Sequence, residues 1–553
     1  MKHLISGNIR ISQKGVGYLS LDPSAGRDGE AVEIDPTLLN TALPGDMVEV
    51  EMDPGIEGER RTGRVIKIIE RKRLEFVGLL EKDGDFYFVV PDDKRVYKDI
   101  LIADKKIDGA SPGDKVLAKI ITWIDPKKDP VGEVIKAIGP AGRHETEMQA
   151  IVYERGFVAG FPLEIEAEAK AIKAGAAADL AKEIKSVEAK AVGARRDFRG
   201  VLTFTIDPAD AKDFDDAISY QELGEGKIEV GIHIADPAHY VRPGTKLDRE
   251  AIKRATSIYL VDRTIPMLPE VLSNDLCSLN PGADKLTFSA VFVFASSTSS
   301  SPRGSRLSRA GQVNFKLLDE WYGRTIIHSD KRFTYEDAQA ALDNPAGEYH
   351  QELSMLNALA KHLRIAREHS GSISFDSDEI KFVLDQNGKP LKVIRKERTD
   401  SHLLIEDLML LANRQVAEFV SKIVKNADKH FVYRVHDVPD MDRIKQLADF
   451  VGPLGYQLAI KDGAVSQSSI NQLLAAVKGK PEEAMINTAT MRTMSKAIYA
   501  TKNIGHYGLA FEHYAHFTSP IRRYPDIMVH RLLDYYLRHA TPPTKMLDEY
   551  HRL

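Results

Sequence analysis

The 553 residues carry 76 Lys and Arg against 81 Asp and Glu, a formal net charge of −5, with 43% hydrophobic and 28% charged residues. That length exceeds what one hydrophobic core supports and predicts about three or four domains of ordinary soluble composition. No apolar run approaches the ~20 residues a membrane span needs, and the start Met1-Lys2-His3-Leu4-Ile5 has no signal-peptide core. The single cysteine, Cys277, excludes an internal disulfide and favours a reducing, cytoplasmic setting; it reads as a small buried hydrophobe.

In chain order, the first feature is an internal repeat. Pro44-Gly45-Asp46-Met47-Val48 recurs as Pro112-Gly113-Asp114-Lys115-Val116 at an offset of 68, and Gly63-Arg64-Val65-Ile66-Lys67 as Gly132-Glu133-Val134-Ile135-Lys136 at an offset of 69. Short alternating runs between Gly, Pro and Asp turns predict two small β-barrels, over residues 1–70 and 71–142. Tyr18 in the first, and Phe86 and Phe88 in the second, sit in stretches that look like cold-shock, OB-type motifs, whose exposed rings stack on unpaired bases. Residues 143–194, with the Ala-, Glu- and Lys-rich stretch Glu164 to Ala191, predict a helical connector. From 195 to 540, strands to about residue 295 are followed by helices near 350–368, 402–424 and 524–538, an α+β domain; the Ser-rich segment 296–308 reads as a flexible insertion, and 541–553 as a tail.

Inside that domain, Asp207, Asp213, Asp215 and Asp216 fall within ten residues, with Asp210 among them and one lysine, Lys212. A folded chain tolerates such charge density where something cationic neutralises it, and hard carboxylate oxygens suit Mg²⁺ or Mn²⁺ shared with substrate phosphate. A solvated acidic loop would not lie between the apolar runs Val201 to Ile206 and Ile228 to Ile234. An EF-hand loop fails on spacing, because the sixth residue from Asp207 is Lys212 instead of Gly. His233, His436, His513 and His516 lack paired cysteines and HExxH spacing, which argues against zinc. Basic clusters at Arg71-Lys72-Arg73, Lys94-Arg95, Arg195-Arg196 and Arg522-Arg523 could offset the acidic average if one face gathers them.

The acidic run resembles the signature of the RNB catalytic domain of the ribonuclease II and ribonuclease R family, which degrades RNA from the 3′ end. Matching blocks follow in order: His233-Ile234-Ala235-Asp236-Pro237, Ser257-Ile258-Tyr259-Leu260, Pro266-Met267-Leu268-Pro269, Leu276-Cys277-Ser278-Leu279 and Thr518-Ser519-Pro520-Ile521-Arg522-Arg523-Tyr524. The cold-shock region is closer to bacterial ribonuclease R. The resemblance implies that Asp207, Asp213, Asp215 and Asp216 hold two Mg²⁺ or Mn²⁺ ions, with Asp215 the acid on which turnover depends most and Arg522 on the scissile phosphate. Tyr259 and Phe375 would stack on the terminal bases, and Glu406, or its neighbour Asp407, would accept a hydrogen bond from RNA. It further implies a monomer, acting away from membranes on single-stranded RNA and releasing nucleoside 5′-monophosphates. The family's usual C-terminal OB-type domain is expected to be absent from residues up to Leu553. Two other readings of the same fold are a catalytically inactive RNA-binding protein, which would be expected to have lost an acid of the loop, and an endonuclease using the same metal centre.

Overall fold

The computed structural model describes residues 3–20, 31–54, 60–103, 106–191, 193–298, 313–373, 380–385, 390–395, 397–424, 430–461 and 464–553. Its main chain forms two compact units, Met1–Gly160 and, from Phe161 onward, a larger one running to Leu553.

The first unit holds the repeat. In its first half, the sheet His3–Asn8, Met47–Met52, Gly63–Glu70 and the sheet Arg10–Ile11, Gly17–Ser20, Ala31–Ile34 enclose Ile9, Leu19, Val32, Ile34, Val48 and Val50. In the second, Glu75–Asp83, Phe86–Pro91, Ile100–Ile102, Asp114–Thr122 and Val131–Pro140 close into a barrel around Phe76, Leu80, Val89, Ile100, Val116 and Val134. The repeated residues have the same jobs in both halves. Gly45 and Gly113 take the left-handed conformation (φ 91° and 94°), and the following Asp46 and Asp114 accept a hydrogen bond from the backbone N–H three residues earlier, at 2.9 and 2.8 Å. At Gly63 and Gly132 a Cβ would meet the carbonyl of the paired strand at 2.7 and 2.5 Å.

The predicted connector is divided between the units. The helix His144–Glu154 packs Ala150 and Tyr153 on Val77 and Leu117 of the second barrel, whereas Leu163–Glu188 lies in the larger unit, so the boundary falls at Gly160.

The larger unit is built on a seven-stranded mixed sheet in the order Arg196–Phe198, Val313–His328, Asp284–Thr298, Lys227–Ala235, Asp216–Gly224, Thr203–Asp207, Lys331–Thr334. Both outermost pairings are parallel and the four between them antiparallel. The central strand Lys227–Ala235 is buried from Val230 onward. Its His233 rests between Ser219 and Ser289, each within 2.8 Å of a ring nitrogen, and burial pushes its pKa down to about 3, so the ring is a neutral core residue. His436 is likewise engaged at both nitrogens, with the Ser495 carbonyl and the Gly508 N–H.

Three helices form close to the expected spans: His350–His369, Asp400–Ile423 and Tyr524–Leu537. The Ser-rich segment differs from expectation at its start. Ser296, Ser297 and Thr298 continue the ladder opposite Phe315, Asn314 and Val313, because backbone pairing tolerates hydroxyl side chains on an exposed strand end; the remainder lies outside the described residues. At the other end, Thr544–Arg552 is helical and buries Tyr550 against Arg531. Among the described residues no helix is long and apolar enough to cross a membrane.

Candidate active site

The four carboxylates gather where two neighbouring strands of the sheet meet. Asp207 ends one strand, because Pro208 removes the next ladder donor; Asp216 begins the adjacent strand, opposite Ile234. The connecting loop is tied down at three points. Arg332 donates to the Pro208 and Ala209 carbonyls at 2.8 and 2.9 Å. Ser278 Oγ donates to the Lys212 carbonyl (2.8 Å) and accepts the Phe214 N–H (3.0 Å), and the Leu279 N–H reaches the Phe214 carbonyl (3.1 Å). Phe214 is buried under the Arg332 guanidinium, while Asp210 is exposed at the turn.

Asp215 is enclosed and fully engaged. Its Oδ1 accepts the Ile521 N–H at 2.8 Å and its Oδ2 the Arg522 Nε at 3.2 Å. Burial raises its pKa to about 7 against the opposing pull of Arg522 and Ile521. Arg522 donates from Nη2 to Ser519 Oγ at 2.9 Å and keeps 44% of its side-chain surface exposed, so one face of the fork stays open. Its backbone carbonyl accepts the Ser257 N–H and Thr256 Oγ1, which anchors the hairpin Ile258–Tyr259, Thr264–Ile265 beside it. From that hairpin Tyr259, 53% exposed, donates its hydroxyl to Asp213 Oδ2 at 3.2 Å.

Asp207 and Asp216 are a different kind of pair. Burial first, and then the negative charge of neighbouring carboxylates, raises both pKa values, and Asp207 Oδ2 is enclosed with no hydrogen-bond partner. Leaving a carboxylate oxygen dry and unpaired is costly, and hard oxygen donors repelling one another are what a divalent cation neutralises. The residues therefore fit such an ion, as an open set: among the described residues no three His, Cys, Asp or Glu side chains make a ready-formed cage.

The helix Asp400–Ile423 separates the two acids the sequence leaves as alternatives. Asp407 is buried and clamped by Arg364 and Arg367, at 2.7 Å each, whereas Glu406 faces outward and pairs with Arg398. Phe375 lies outside the described residues. In the first unit, Phe86 is 66% exposed, and Phe88 shares its face by strand alternation. Tyr18, half-buried, stands in the ladder between Arg10 and Glu33.

Some contacts that hold the site escape the sequence reading. Ser278, Ser519 and Ile521 fall in the matching blocks, but nothing there announces that they hold the acidic loop, Arg522 and Asp215. Tyr335 stacks on His402 with ring centroids 4.0 Å apart and planes at 9°, and its phenol is raised by burial and by the charges of Asp216 and Asp207. Its only sequence signal is that it follows a strand.

The chain resembles known proteins over both regions. Residues 195–539 match the RNB domain and residues 88–162 a cold shock domain, so the class is an RNB-domain nuclease preceded in the chain by a cold-shock domain. The chain belongs to the ribonuclease R family of RNB-domain 3′-to-5′ exoribonucleases. It is 37% identical over 540 residues to ribonuclease R of Thermotoga maritima, covering 96% of this chain and 71% of that one. Against ribonuclease R of Escherichia coli the identity is 32% over 542 residues, covering 97% and 62%. The solved structure of Mycoplasma genitalium RNase R in complex with ribose methylated single-stranded RNA superposes with a TM-score of 0.84 at 26% identity, covering 99% of this chain and 82% of that one.

Proposed function

We propose that this chain hydrolyses single-stranded RNA from its 3′ end without sequence preference, in an Mg²⁺-dependent reaction that Mn²⁺ can also support, and releases nucleoside 5′-monophosphates. The observation that carries this reading is the half-buried Asp207, whose enclosed Oδ2 has no hydrogen-bond partner, with Asp216 in its electrostatic reach and an arginine fork oriented by Asp215.

Asp207, Asp213 and Asp216 would hold two ions, which when bound supply an activated water and neutralise charge on the reacting oxygens. Asp215 acts differently. With both oxygens committed, it orients Arg522, whose exposed donors present a planar fork to a phosphate. Tyr259 offers its exposed ring to the last base, and stacking accepts every base because each has a π face. Its hydroxyl keeps Asp213 oriented. Glu406 lies in the electrostatic neighbourhood of the Tyr335 phenol, beside Asp216 and Asp207, which supports its expected place near the RNA end. Phe375 retains its expected role on resemblance alone. The exposed rings of the first unit support a single strand as the partner, and the buried, free Cys277 is consistent with a reducing cytoplasm and a monomer without disulfide links.

The test is a product ladder from 5′-labelled single-stranded RNA with Mg²⁺ and with EDTA. Progressive shortening from the 3′ end, with mononucleotide release only when Mg²⁺ is present, is expected. Internal fragments, or degradation that persists in EDTA, would overturn the reading.

A further inference from the structure

Next to Arg522 the structure concentrates more positive charge than the neighbouring acids neutralise. A two-stranded ribbon, Tyr433–Val435 with Ile498–Ala500, places Arg434 directly opposite Tyr499. The Arg434 guanidinium stands 4.7 Å from the Tyr499 ring centroid, and the Tyr499 hydroxyl meets His516 Nδ1 at 2.7 Å. Arg434, Arg522 and Arg523 all act on the Tyr499 phenol electrostatically, and Arg434 and Arg523 both act on His516. His506 also feels Arg434.

The acids in reach each pair with another arginine, Asp215 with Arg522 and Asp526 with Arg523. Asp526 is fully buried: its Oδ1 accepts the Ser519 N–H at 2.8 Å and Arg523 Nη2 at 2.7 Å, while its enclosed Oδ2 has no hydrogen-bond partner. Asp215 is taken by Ile521 and Arg522. Among the described residues Arg434 has no carboxylate partner, although it is half-buried; its one close companion is the Tyr499 ring, itself 37% exposed. A half-buried guanidinium without a carboxylate, acting on the same phenol as two other arginines, is unfavourable until an anion joins it. A planar fork stacked on an aromatic face is preorganised for phosphate.

We propose that Arg434, propped by Tyr499 and by the hydrogen bond from Tyr499 to His516, is a second phosphate subsite, which takes an RNA phosphodiester adjacent to the one facing Arg522. The subsite rests on the proposed RNA substrate and deepens it, because two guanidinium forks that both act on the Tyr499 phenol would fix the register of the strand, where a single fork fixes a point.

The experiment measures binding of a labelled single-stranded RNA to the full chain in EDTA, across a series of salt concentrations. Arg434→Gln is expected to reduce the slope of log affinity against log salt by about 0.7, the share of one neutralised phosphate on a single strand. Arg434→Lys is expected to keep the slope, because the charge remains, yet to weaken binding several-fold, because the fork is gone. A glutamine variant with the wild-type slope overturns the subsite, as does a lysine variant with wild-type affinity, which decides the matter should the glutamine variant not fold. Absence of salt-dependent RNA binding by the unmodified chain would instead overturn the substrate reading itself.

Discussion

Asp215 and Arg522 share one ion pair, and the consequences of breaking it differ from those of removing a cation ligand. In Asp215→Asn the amide can still accept from the Ile521 N–H, but its NH2 then meets the Arg522 Nε donor, so the fork loses its anchor. Turnover is expected to fall by about 10²–10³, the scale of losing one aimed donor on a developing oxyanion, while RNA affinity changes little. Asp216→Asn is expected to abolish turnover through Mn²⁺ binding, which electron paramagnetic resonance reads directly; Asp215→Asn leaving Mn²⁺ uptake intact is the discriminating result. Asp526→Asn reaches the same fork from behind, because Asp526 holds the Ser519 N–H and Ser519 holds Arg522. A fall in kcat with KM unchanged is expected, and a change in KM alone would show that Asp526 serves binding instead.

Among the elements, the hairpin carrying Tyr259 is fastened to the Arg522 backbone and only lightly to the carboxylates, through one phenol at 3.2 Å. Tyr259→Ala is expected to lengthen the limit product, because stacking worth about 1–3 kcal/mol on the last base is lost while the metal ligands stay in place; an unchanged ladder would make Tyr259 a purely structural residue. The central strand yields a pH prediction. His233 titrates near 6.5 in the unfolded chain and near 3 in the fold, so below pH 6.5 the unfolded state takes up a proton that the folded state refuses. Its contribution to stability is therefore complete above pH 6.5 and is lost as pH falls toward 3, roughly 2 kcal/mol by pH 5. His506 and His516 are depressed by burial in the same way, so the stability lost between pH 7 and pH 5 should be smaller for His233→Gln than for the native chain by about this amount, and an equal loss in the two would overturn the assignment. These elements were legible to different depths. Alternation announced the strand ending at Asp207 and the buried strand holding His233, and the acid spacing announced the loop, because those signals are local. The Asp215 bond to Ile521 joins residues 306 apart, and Arg434 meets Tyr499 only through strand register, so neither leaves a local trace. Helical phase alone could not show that Asp407 is buried against Arg364 and Arg367 while Glu406 faces outward, because those arginines belong to a neighbouring helix.

At the scale of the whole molecule, the repeat was readable because turn chemistry enforces it: a left-handed glycine followed by an aspartate that caps its own turn is spelled the same way in the two-sheet first half and in the closed barrel of the second. The boundary at Gly160 was not readable, because one helical composition runs through two helices that pack in different units. That boundary defines the deletion worth making. The two halves of the first unit have cores of their own, and the sheet unit has a separate one and holds every described contact of Asp207, Asp213, Asp215 and Asp216, so removal of residues 1–160 is expected to leave the chemical step intact. What it should remove is reach: the exposed Phe86 ring and its face supply stacking platforms, and each phosphate that the barrels no longer neutralise lowers the salt slope by about 0.7 on a single strand. Single-turnover cleavage of a short oligomer by the shortened chain should match the full chain, while affinity for a long strand weakens and its salt dependence flattens. Equal salt slopes in the two chains would mean that the barrels are structural and that the sheet unit alone holds RNA. A shortened chain that is folded but has lost single-turnover cleavage would mean instead that the barrels take part in the chemical step.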